Sequence, residues 1–161
     1  MYKEKNTMKT KMKKLISIKS LPLYALALLI VLGTTLADSE GDLMTGSGDV
    51  QLTRPDGGEG TATLSIEGEK LDGEVVVNIL SGDMPLTVEH IFSFGEDIFK
   101  TIGNEVLKPT DEEGLFIMTG DMTIVSGEGK FASASGEMRV HGRIHMLEGW
   151  ASFKVNGTIS R

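Results

Sequence analysis

Three histidines, a row of arginines and a set of methionines are the side chains of this chain with the chemistry for catalysis or ligand binding. His90 lies in the alternating run Leu86–Phe94, on the same side as Val88, Phe92 and Phe94. A polar group on an apolar strand face must be hydrogen-bonded or border a cavity. In a cavity an imidazole is a general acid/base or orients a ligand; more often it is a satisfied core residue. His141 and His145 invite a metal reading, but on a strand four residues span about 13 Å, too far for two ligands of one zinc ion. No metal site is expected unless His145 pairs across strands, and no cofactor is expected. Arg139, His141, Arg143 and His145 instead share one face of a strand. That row reads either as an anion site or as an outer face salted against neighbouring carboxylates.

Met118 and Met122 share one face of a strand, and Met138 and Met146 share another with Val140 and Ile144. Thioethers adapt to irregular space and to varied apolar ligands, so these residues are candidates for lining a pocket as well as for filling a core. The candidate ligand-binding set is therefore His90, Phe92, Phe94, Met118, Met122, Met138 and Met146. Common enzyme signatures are absent: the chain has no G-x-S-x-G elbow, no P-loop and no H-E-x-x-H. With no Cys it has no disulfide framework, thiolate metal site or cysteine nucleophile.

The elements that would position these residues are strands. Of 20 Gly in 161 residues, all but Gly33 follow residue 37, and they punctuate short alternating segments about ten residues apart, the pattern of a sandwich or barrel. Asp38–Gly48 reads as a flexible, polar lead-in. Val50 and Leu52 open the first strand, Arg54–Gly60 reads as a turn, and Ala62, Leu64 and Ile66 alternate in the next. Val75, Val77 and Ile79 share a face within Leu71–Leu80. Leu86–Phe94, Phe116–Ile124, Glu137–Leu147 and Ala151–Ser160 follow, while Gly95–Leu107 is the least legible stretch, strand or loop. The count is seven to eight strands with no helical period.

Seven Lys precede residue 20, and the uncharged run Leu21–Ala37 follows. A basic start, an apolar core and small residues at Thr35 and Ala37 predict a signal peptide over 1–37, cleaved before Asp38, with an uncleaved anchor as the alternative. The expected organisation is that segment, the lead-in 38–48 and a barrel over 49–161, exported to the periplasm, cell envelope or medium. The net charge of the whole chain is −7; residues 38–161 carry nine Lys and Arg against 22 Asp and Glu, a net charge of −13. Such a domain repels phosphate backbones and anionic lipid surfaces, which argues against nucleic acid and membrane-surface partners.

One segment carries a family resemblance. Gly127-Glu128-Gly129-Lys130-Phe131-Ala132-Ser133-Ala134-Ser135-Gly136 follows Met122-Thr123-Ile124-Val125 and precedes Val155-Asn156-Gly157-Thr158-Ile159, with Val88–Phe94 and Leu107-Lys108-Pro109-Thr110 upstream. Together these resemble the small bacterial proteins related to allene oxide cyclase and dirigent β-barrels, a calycin-like group. The resemblance spans Thr87–Ser160 and implies an antiparallel eight-stranded barrel with an apolar lumen. The glycines also have a local account: those flanking Glu128 allow positive φ in a tight turn, which would let Phe131 plug a barrel end. Three functions follow as expectations: binding of a small hydrophobic molecule in the lumen, a cofactor-free isomerase or cyclase using His90 or an inward carboxylate, or a structural envelope protein with a filled barrel.

Overall fold

A computed structural model describes residues 41–161. Eight strands run up and down in chain order: β1 (Asp42–Arg54), β2 (Gly57–Ile66), β3 (Glu69–Ser81), β4 (Leu86–Phe94), β5 (Asp97–Pro109), β6 (Leu115–Glu128), β7 (Ser135–His145) and β8 (Trp150–Ser160). Each pairs antiparallel with the next, and β8 returns to β1, so the sheet is a closed barrel. Closure leaves no strand edge unpaired. The predicted signal segment lies outside the described residues.

Alternation decides which side chains enter the barrel. In β4, Leu86, Val88, His90, Phe92 and Phe94 are buried while the intervening residues are half-exposed. The same period puts Phe99, Thr101 and Glu105 of β5 inside with Met118, Met122 and Ile124 of β6 and Met138, Val140 and Ile144 of β7. Two inward glycines show what the lumen requires. A Cβ on Gly48 would lie 2.5 Å from the Phe153 ring, and one on Gly120 would lie 2.8 Å from Cγ of Glu105. Small residues on one strand thus make room for large side chains paired with them on the adjacent strand.

The two ends differ. One end carries the β2–β3, β4–β5 and β6–β7 connections together with the paired outer ends of β1 and β8. A single 3₁₀ turn, Gly129–Phe131, drops the fully buried Phe131 into this end. Its ring meets Phe99 edge-on at 5.1 Å, and Phe99 stacks on Phe92 at 4.9 Å. Gly129 has φ +62°, and the Lys130 N–H donates to Asp97 Oδ1 at 2.8 Å, which ties the turn to β5. The expected plug is therefore present. The other end, called here the loop end, carries the β1–β2, β3–β4, β5–β6 and β7–β8 connections.

Two expectations about the elements need correction, and one left open is resolved. β1 starts at Asp42, so residues 42–48 are strand and not a flexible lead-in. The first turn is only Pro55–Asp56, because Gly57–Gly60 already pair with Val75–Asn78 of β3. The illegible stretch Gly95–Leu107 is mostly a full strand, β5. In each case Gly, Thr and charged residues occupy inward or bent positions and interrupt the apolar alternation.

Candidate functional site

The lumen divides into a packed half and a half with residual space. Phe92, Phe94, Phe99 and Phe131 fill the plugged end. Toward the loop end lies a cavity of about 30 Å³ walled by Leu52, Val77, Ile79, Leu86, Leu107 and Met118, among others. That volume is roughly the share of one water molecule in the liquid. Leu52, Val77, Ile79 and Leu107 are only half-buried, and among the described residues no aromatic plug comparable to Phe131 closes this end.

Among the described residues, His90 and Glu105 are the only titratable side chains on this cavity wall. His90 comes from the middle of β4, directly opposite Thr101 of β5; Glu105 lies on β5 opposite Leu86. Both are almost completely buried, at 2 % and 3 % exposure. His90 Nε2 stands 3.7 Å from Glu105 Oε1, too long for a hydrogen bond. His90 Nδ1 and Glu105 Oε1 have no hydrogen-bond partner among the described residues. The Thr101 hydroxyl donates instead to Met122 Sδ at 3.8 Å. The His90 ring stacks on Phe92 at 6.0 Å and meets Phe153 edge-on at 5.6 Å.

Burial sets the protonation of the pair. Desolvation pushes the Glu105 carboxyl up to about 7 and the His90 imidazole down to about 4, because a charge is poorly solvated in an apolar lumen. At neutral pH His90 is therefore neutral, and the contact is not an ion pair despite its distance. An imidazole that stays neutral beside a carboxyl that titrates near neutrality makes an acid and a base of separated strength.

Of the residues singled out in the sequence, His90 and Met118 line this cavity. Phe92, Phe94, Met122 and Met138 are buried in the packed core instead. Met146 is not inward: β7 ends at His145, and Met146 lies in the following turn, 41 % exposed. His145 also leaves the expected basic row. It is buried under the loop end, where Nδ1 accepts the Glu148 N–H at 3.1 Å and Nε2 lies 3.5 Å from Glu112 Oε1. Arg139, His141 and Arg143 do share the exposed outer face of β7, and Arg139 Nε donates to Asp121 Oδ1 at 3.0 Å. Among the described residues no three His, Asp or Glu side chains group as metal ligands. Glu105 escaped sequence reasoning. Its signal was the face Phe99, Thr101, Gly103, Glu105 and Leu107, in which three of five residues break the apolar pattern.

No family model, curated protein or solved structure matches this chain. Its functional reading therefore rests on the lumen itself.

Proposed function

We propose that this protein is a binding barrel whose loop-end lumen takes a small, mainly apolar molecule and holds its polar head at His90 and Glu105. The observation that carries this reading is a pair of buried polar atoms without hydrogen-bond partners among the described residues, His90 Nδ1 and Glu105 Oε1, on two side chains that line an apolar cavity. Burying such groups unpaired costs about 1–3 kcal/mol each, a cost that a bound head group offsets. Pockets of this kind combine apolar walls with few placed polar groups. Kinship with allene oxide cyclase and dirigent barrels and export through the basic and apolar N-terminal run belong to the same proposal. They are supported by the eight-strand closed barrel, by the glycine–phenylalanine plug and by the pattern of residues 1–37.

Native mass spectrometry of the purified full chain, before any organic extraction, tests the binding reading. A stoichiometric excess mass released on denaturation is the expected result. A clean apo mass together with no uptake of apolar dyes would overturn it in favour of a filled structural barrel, a reading to which the small cavity lends support.

A second reading draws on the opposite protonation tendencies of His90 and Glu105. Such a pair suits cofactor-free isomerisation, one group removing a proton and the other returning it. Turnover of an identified ligand that is lost in both His90→Ala and Glu105→Gln, with binding retained, would favour it over binding alone.

A further inference from the structure

We propose that the head group the lumen selects is a cationic amine, because the buried carboxyl of Glu105, with one oxygen lacking any partner among the described residues, lines an apolar cavity toward the barrel end whose connecting turns are acidic. This inference rests on the lumen-binding reading and names its ligand class: a small primary amine with an aliphatic or aromatic tail.

The first observation lies at the base. Glu105 Oε1 has no hydrogen-bond partner among the described residues, and Nε2 of His90 lies 3.7 Å away. Above the value of about 7 that burial gives Glu105, its carboxylate only accepts, and the neutral His90 imidazole offers a single N–H, so the site is short of donors. An ammonium group brings three donors, no acceptor and the missing positive charge. An alcohol brings one donor and no charge. A carboxylate ligand brings a second negative charge and repels the first. The desolvation of Glu105 is already incurred on folding, so an incoming cation loses its own hydration but gains a partner whose hydration is gone.

Size and shape agree with this choice. The cavity of about 30 Å³ accepts a head group the size of a water molecule but not a ring or a chain. A tail must then extend toward the loop end between Leu52, Ile79 and Leu107, the half-buried side chains that cover the cavity. Gly120 keeps the wall beside Glu105 flat, since a Cβ there would press on the Glu105 Cγ at 2.8 Å.

The second observation is independent of the lumen. The four loop-end connections carry Asp56, Asp83, Asp111, Glu112, Glu113 and Glu148, all exposed. The cations nearest that end are Arg54, Lys108 and Arg143, and Arg54 is engaged with Asp56 at 3.6 Å. A negative rim around a low-dielectric opening concentrates cations and excludes anions.

The test is titration of the full chain at pH 8.5 with n-hexylamine, 1-hexanol and hexanoate, three ligands with one tail. At that pH Glu105 is above the value of about 7 that burial gives it, and an alkylamine remains charged. Hexylamine is expected to bind at least tenfold tighter than hexanol, with hexanoate weakest, and to shift the Met118 methyl resonance in the wild-type chain. In Glu105→Gln the affinity for hexylamine should fall at least tenfold while that for hexanol is kept. Hexanol or hexanoate binding as tightly as the amine overturns the amine inference and leaves lumen binding standing. Amine binding that leaves the Met118 methyl unmoved overturns it too, even if Glu105→Gln fails to fold, since the site is then the surface carboxylates. No binding of any of the three removes the lumen-binding reading and this inference with it.

Discussion

His90 and Glu105 change stability with pH in opposite directions, and this gives their burial a measurable form. Glu105 holds its proton up to about pH 7 in the fold but releases it near 4.5 when unfolded. Between those values the unfolded chain binds fewer protons, so the Glu105 contribution falls as pH rises. His90 stays neutral in the fold down to about 4 but protonates near 6.5 when unfolded. Its contribution therefore rises with pH from about 4 to 6.5. The two slopes nearly cancel from pH 4.5 to 6.5 in the parent chain. Glu105→Gln removes one of them, and the variant should gain on the parent by about 3 kcal/mol between pH 4.5 and 7. Urea unfolding at several pH values measures this difference; an offset that stays constant with pH would sink the assignment. Half of this pair was legible in the sequence. His90 stood on a clean apolar alternation, whereas Glu105 shared its face with Thr101 and Gly103, whose small or polar side chains mask an inward strand.

Among the elements, the β6–β7 connection does more than reverse the chain. Gly129 takes φ +62°, which a β-carbon would strain, and the resulting turn aims Phe131 between Phe94 and Phe99. Phe131→Ala should cost about 3–5 kcal/mol, the usual range for emptying a phenylalanine site in a core. Denaturant unfolding checks it, and a loss below about 1 kcal/mol would mean that the neighbouring rings close over the gap. This segment was readable because G-x-G-x-F pairs conformational freedom with one large apolar residue in a polar context. The end of β7 was not readable in the same way. Its alternation runs on in the letters to Leu147, but Gly149 at φ +72° and the bond from Gly149 N–H to His145 O turn the chain first. That early turn carries Met146 out of the barrel and folds His145 under the loop end.

For the whole molecule, glycine spacing and strand count foresaw a sandwich or barrel, and the family resemblance implied the closed eight-stranded form, but the start of the barrel was not foreseen. Gly46 and Gly48 gave β1 the look of a linker. They are glycine because a Cβ at either would collide with its paired residue on the adjacent strand, Leu64 beside Gly46 and Phe153 beside Gly48. A loop-like composition here reflects a crowded interior. The negative charge of residues 38–161 was equally plain in the sequence; what the fold adds is its placement, with six acidic residues in the loop-end connections and Glu67 and Glu96 in those of the plugged end.

The pairing of β1 with β8 has a topological consequence. Asp42 is the register partner of Ile159 at the plugged end, so the strand ends of residues 42–160 already meet. A short linker from Ser160 to Asp42, with new ends cut between Gly95 and Glu96, would give a circular permutant that keeps every strand neighbour. Tight exposed turns tolerate such cuts, and Gly95 and Glu96 are both exposed. The permutant should fold with the parent's near-ultraviolet circular dichroism and lose no more than about 2 kcal/mol of stability. A permutant that aggregates would show that the β4–β5 hairpin must form intact before the cylinder can close, making chain order, and not only final adjacency, part of what this sequence encodes.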